Sequence, residues 1–167
     1  MNAETVILAA GDFPSAGSRA WRILMEAKRV ICCDSAADAY RAKTGREPSA
    51  VVGDCDSVRG TFKTLVKIDD QDTNDLAKAV EYCRTRGWDR PVILGATGKR
   101  EDHAIGNVFR ALEYGLDVVT DHGRFTALEA HSAYEVGKGA SVSVFATERD
   151  TVMTSKGLRW QIGRAHV

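Results

Sequence analysis

Short, unbroken apolar runs separated by amphipathic stretches set the rhythm of the first two-thirds of the chain. Thr5–Ala9, Arg29–Cys33, Ala50–Val52, Thr64–Ile68, Pro91–Gly95 and Leu116–Thr120 predict strands. Their continuous apolarity suits a parallel sheet covered on both faces, because a half-exposed sheet alternates apolar with polar positions. Between the fourth and fifth runs, Leu76, Ala79, Val80 and Cys83 fall at helical spacing, after a cap expected at Asp72 or Thr73 and before a stop at Gly87. The same spacing recurs at Ile105, Val108, Phe109 and Leu112, between Asp102 and Gly115. Strand and helix in alternation predict an α/β fold over residues 1–121, a doubly wound, mostly parallel sheet with helices on both faces.

After about Asp121 the texture changes to short alternating pieces, Phe125–Glu129, Ala133–Val136 and Ser141–Ala146, with Gly137 and Gly139 as a turn. These predict a partial β domain over residues 122–161, too short to close a sandwich, which commonly needs about seven strands. The expectation is therefore an incomplete β-sandwich. The final six residues, 162–167, have another reading: ATC-GGA-AGA-GCA-CAC-GTC, which encodes them, matches a widely used sequencing-adapter read. They are expected to be an artefact, and His166 is excluded as a site residue.

Charge narrows the partners. The 23 basic and 23 acidic residues cancel, so nothing global favours a nucleic-acid backbone or an anionic membrane, and a bound anion must be gripped locally. Cys32, Cys33, Cys55 and Cys83 form no C-x-x-C pair, which predicts reduced thiols and a cytoplasmic protein rather than a zinc site or a disulfide frame. Neither a secretory leader nor a membrane span is expected, since no apolar stretch reaches the required ~18 residues.

In a parallel sheet, ligands bind beyond the carboxyl ends of the strands, where loops are free to carry chemistry. Four such loops here are acidic: Asp34, then Asp54 and Asp56, then Asp69, Asp70, Asp72 and Asp75, then Glu101 and Asp102. Singly, Asp34, Asp72 and Asp102 stand where a helix wants a cap. Capping explains the doubled acids Asp54/Asp56 and Asp72/Asp75 less well, because one helix start needs one cap. Hard oxygen donors without a Cys/His cluster select Mg²⁺ or Mn²⁺, which usually arrives with substrate phosphates and so implies a nucleotide. Asp75 and Lys78 share a face of one helix, where one can hold metal and the other phosphate, or the two form a surface ion pair. Gly95, Gly98, Lys99 and Arg100 lie between a strand and a helix, a phosphate-friendly setting, but without the spacing of a P-loop.

Four segments, I-C-C-D-S-A-A-D (Ile31–Asp38), P-x-x-V-V-G-D-C-D-S (Pro48–Ser57), D-Q-D-T-N-D-L-x-K-A (Asp70–Ala79) and I-L-G-A-T-G-K-R-E-D-H-x-x-G-N (Ile93–Asn107), together resemble thiamine pyrophosphokinases. The resemblance runs over roughly residues 5 to 160, in the family's order. It implies transfer of pyrophosphate from ATP to thiamine with release of AMP, on Mg²⁺ held by Asp54, Asp56 and Asp75. It further implies that Asp34 and Asp102 complete the acidic site, that Gln71, Lys78, Gly98 and Arg100 face the nucleotide, and that Asn107 supports the active-site helix. A C-terminal β domain completes the thiamine pocket at a homodimer interface in that family, and Trp160 is the expected stacking residue, or else a core or interface aromatic. The family usually shows D-G-G/A-A-N where this chain has Asp34, Ser35, Ala36, Ala37 and Asp38.

Two other readings stand beside this one. Leu8–Gly11 is similar to the L-A-A-G-x-G-x-R loop of nucleotidyltransferases, although Asp12, Phe13 and Pro14 break the pattern. Alternatively, a shortened chain binds Mg-nucleotide without a complete thiamine site.

Overall fold

A computed structural model describes residues 3–70, 72–129, 131, 133–146 and 151–162. The chain divides into two compact units, Met1–Leu128 and Glu129–Val167. In the first, the elements in chain order are β1 (Thr5–Leu8), α1 (Arg19–Glu26), β2 (Arg29–Cys33), α2 (Ala36–Thr44), β3 (Ala50–Gly53), β4 (Leu65–Lys67), α3 (Asp75–Arg84), β5 (Val92–Leu94), α4 (Glu101–Glu113), β6 (Val118–Val119) and β7 (Arg124–Phe125). One sheet of seven strands results, in the order β4-β3-β2-β1-β5-β6-β7. Every pairing is parallel except β6 with β7.

The six apolar runs each become a strand; β1, β3, β5 and β6 are buried along their length, as a sheet covered on both faces requires, whereas the edge strand β4 is largely exposed. In β1, Val6 and Leu8 enter a core with Ala20, Ile23 and Leu24 of α1 and Ala36, Ala37 and Tyr40 of α2. Ile7 of the same strand enters the opposite core, with Leu76, Ala79, Val80 and Cys83 of α3 and Ala111 of α4. Full burial of a side chain such as Ile7, Leu8 or Ile93 stabilises the fold by roughly 1.5–3 kcal/mol.

Helix α1 starts at Ser18, whose Oγ accepts the Trp21 N–H at 3.0 Å. Helix α3 is capped by Asn74, whose Oδ1 accepts the Ala77 N–H at 2.9 Å, and not by the expected Asp72 or Thr73. Asn74 has the right distance to reach back over the first turn, whereas Asp72 donates its own N–H to Asp70 in the loop before it.

The strand order reverses between β1 and β5, the switch point of a doubly wound sheet. Backbone bonds continue past the strand ends there: Ala9 N–H to Leu94 O at 2.8 Å, Gly11 N–H to Gly95 O at 2.7 Å, and Asp12 N–H to Thr97 O at 2.8 Å. A Cβ at Gly11 would run into the Thr97 and Gly95 carbonyl oxygens, so only glycine lets the two loops close in this way.

Phe125 joins the sheet of the first unit through β7. Among its described residues the second unit carries isolated bridge positions at Phe145 and Val152 and otherwise irregular chain. The expected strands Ala133–Val136 and Ser141–Ala146 are not formed, so no β-sandwich follows the α/β unit among the described residues. A strand needs a partner ladder, and alternation alone does not supply one. No described helix is long and apolar enough to cross a membrane, and all four cysteines are unbridged.

Candidate active site

At the carboxyl ends of β2 and β3 the chain brings together Asp34, Asp54 and Asp56, each offering an oxygen within 4.8 Å of the others. Asp34 follows β2 directly and takes a positive φ of 42°, a conformation that costs a non-glycine residue about 1–3 kcal/mol. Its N–H is bonded to Val52 O at 3.2 Å, which fixes the turn against β3. Its side chain caps nothing: Oδ1 is buried without a hydrogen-bond partner. Burial pushes the Asp34 carboxyl above the usual carboxylate range; the Ser57 hydroxyl pulls the other way, and Asp75, Asp54 and Asp56 add to the rise by repulsion.

Asp54 and Asp56 flank Cys55, which also has a positive φ, of 61°. The Asp56 N–H points at Asp54 Oδ1 at 3.4 Å, and Ser57 Oγ donates to Asp56 Oδ1 at 2.9 Å.

Asp75 stands beside the trio at the first position of α3. A Cβ at Gly53 would lie 3.1 Å from Asp75 Oδ1 and 3.3 Å from Asp34 Cβ, so the glycine lets these two acids approach across β3. Lys78, almost wholly buried, donates from Nζ to Asp75 Oδ1 at 3.3 Å. The i,i+3 ion pair read from the sequence is thus formed, but it is not a surface pair at Lys78, whose side chain is 4% exposed.

The other sequence-derived positions lie on the β5–α4 loop or outside this cluster. Arg100 and Asp102 form a two-bond pair with each other on the surface. Arg100 holds the Asp102 carboxyl down to about 2. Lys99 Nζ donates to Ala10 O at 2.7 Å, tying this loop to the end of β1. Gly98 has a φ of 79°, and a Cβ there would collide with the Asp12 carboxylate. Asn107 Nδ2 donates to Ala96 O at 3.1 Å and so anchors α4 to the loop before it. Trp160 belongs to the second unit, 78% exposed, and Gln71 lies outside the described residues.

Sequence reasoning missed the residues that hold the β3–β4 loop. Asp38 of α2 accepts the Arg59 and Gly60 N–H groups, both at 2.9 Å. Arg41, one turn on, donates to Thr61 O at 2.9 Å. Ser57 had a local signal, its place at the end of G-D-C-D-S, whereas Asp38 was marked only as a departure from a motif.

The family model described as thiamin pyrophosphokinase, catalytic domain, matches residues 20–119. Among solved structures, a probable thiamine pyrophosphokinase from Staphylococcus saprophyticus is similar at 25% identity and a TM-score of 0.52, over 70% of this chain and 65% of that one. Two others share the fold: a thiamin pyrophosphokinase from Geobacillus thermodenitrificans (22% identity, TM-score 0.55, 69% and 58% covered) and a thiamin pyrophosphokinase family protein from Enterococcus faecalis (18%, 0.54, 72% and 63%). The chain spans less than two thirds of the length of each of these structures. No curated protein matches it.

Proposed function

The chain belongs to the thiamin pyrophosphokinase family, and on that premise we propose that it transfers pyrophosphate from ATP to the hydroxyl of thiamine, giving thiamine diphosphate and AMP. The observation that carries the reading is the convergence of Asp34, Asp54 and Asp56 around a buried carboxylate oxygen that has no partner. Three oxygen donors and an unmet buried charge fit Mg²⁺, with Asp75 beside them to take a further ligand position directly or through water. Bound there, Mg²⁺ neutralises charge on the phosphates of ATP.

The protein's own share is placement. Lys78 lies at the acidic cluster through Asp75 and offers a charge to a phosphate oxygen. Arg100 can exchange its exposed partner Asp102 for phosphate at little cost, because both side chains are more than half exposed. Gly98 permits close backbone approach, Asn107 steadies the helix that follows, and Gln71 is assigned to the nucleotide on its motif position. Residues 122–161 we assign to a partial thiamine-binding and dimerisation segment, with Trp160 as the stacking aromatic. A cytoplasmic homodimer completes the proposal.

The nucleotidyltransferase alternative needs free N–H groups in the Leu8–Gly11 loop and its continuation. Those of Gly11 and Asp12 are already bonded to the carbonyls of Gly95 and Thr97. Incubation with Mg-ATP and thiamine, followed by nucleotide chromatography, separates the readings. AMP formation that requires thiamine, and is abolished by Asp54→Asn or Asp75→Asn in folded protein, is expected; activity retained in both variants overturns the assignment. Melting with each ligand alone tests the shortened-chain reading, which expects stabilisation by Mg-ATP and none by thiamine.

A further inference from the structure

We propose that Asp38, backed by Arg41, is a positioning residue that sets the spacing of the three carboxylates by fastening the Asp54/Asp56 loop to the helix that begins beside Asp34. The inference rests on the reading of that trio as a divalent-cation site. Asp34 O accepts the Ala37 N–H at 3.1 Å, so the first turn of α2 is continuous with the Asp34 turn. One turn along the same helix, Asp38 Oδ2 accepts the Arg59 N–H and Oδ1 accepts the Gly60 N–H. Arg41 adds the bond to Thr61 O and lies 4.3 Å over the ring of the buried Phe62. A side chain at Gly60 would collide with the Arg41 guanidinium and come within 2.9 Å of Asp38 Oδ1, so the loop is seated closely on both residues.

Each oxygen of the Asp38 carboxylate takes a separate amide. An asparagine has one acceptor oxygen, and its NH₂ would face the second N–H. The aspartate at this motif position is therefore suited to hold two successive amides. Mg²⁺ tolerates little departure from octahedral geometry at about 2.0–2.1 Å, so a loop released at Arg59 and Gly60 loses ligand alignment at Asp56, three and four residues away.

The test is Mn²⁺ affinity of the whole chain, measured by electron paramagnetic resonance well below the melting temperature, for wild type, Asp38→Asn and Asp38→Ala. Loss of an outer-shell support weakens metal binding by about 10–100-fold; that loss is expected in Asp38→Ala, with Asp38→Asn between it and wild type. A merely structural role lowers the melting temperature and leaves the affinity of folded protein unchanged, which would overturn the proposal. Should Asp38→Ala fail to fold, unchanged affinity in Asp38→Asn overturns it equally. If wild type binds no Mn²⁺, the cation-site reading fails instead. Amide exchange then decides the clamp: faster exchange confined to the 54–61 loop in Asp38→Asn supports it, and unaltered exchange at Arg59 and Gly60 refutes it.

Discussion

Asp34 is held against two local preferences at once, a left-handed backbone and a buried carboxylate oxygen without a partner. Such a residue destabilises the fold, and on the proposed cation-site reading a bound cation would relieve it. Asp34→Asn is therefore expected to raise the melting temperature of the metal-free chain by ~2–4 °C, as about 1 kcal/mol does at this size, and to abolish stabilisation by Mn²⁺. Calorimetry with and without chelator checks both halves. Asp102 behaves in the opposite sense. Arg100 depresses its carboxyl to about 2, so whatever the pair contributes is present above the ordinary carboxylate value and lost as pH falls through about 2. Carbon-detected titration should place the Asp102 midpoint there and return it to the ordinary range in Arg100→Ala; an unchanged midpoint would mean that another group holds it. The doubled acids after β3 were legible because an excess of carboxylates over helix starts has no capping use. Asp38 was not, because its two amides come from residues 21 and 22 positions away.

Elements were read unevenly, for physical reasons. Strands buried on both faces leave unbroken apolar runs, and all six expected runs entered the sheet. Helices α3 and α4 carry Leu76, Val80 and Leu112 at regular spacing, whereas α2 buries Ala36, Ala37 and Tyr40, a face too small to stand out from a polar stretch. Hairpin strand β7, Arg124–Phe125, overlaps the expected Phe125–Glu129 piece at Phe125 alone, since two residues are too few for a period-2 pattern to fix their bounds. The β1 and β5 loops make the sharpest prediction at this scale. Gly11→Ala forces a methyl against two carbonyl oxygens and should cost about 1–3 kcal/mol, read as a lower urea midpoint at unchanged slope. The acidic trio lies at the ends of β2 and β3, away from the switch point between β1 and β5 that these loops close.

For the molecule as a whole, the distribution of burial is lopsided. Every buried hydrophobic side chain among the described residues precedes or is Val119, while Phe145, Val152 and Trp160 of the second unit are at least 74% exposed. A chain ended at Leu128 should therefore keep its unfolding free energy, measured by urea denaturation, within about 0.5 kcal/mol of the parent; a larger fall would show that residues beyond it support the α/β unit. The second unit was the least legible part because strand formation depends on partners that a local pattern does not identify. Within the first unit the two cores are separate layers, and β2 addresses both: Cys32 points into the layer of α1 and α2, Cys33 into the layer of α3 and α4. Adjacent thiols thus sit on opposite sides of the sheet, each shielded by a different pair of helices. Trapping them with a reagent during stepwise denaturation would label the two layers through the same chemistry, and the order in which Cys32 and Cys33 become modified would reveal whether this sandwich of helices comes apart in one step or peels from one side first.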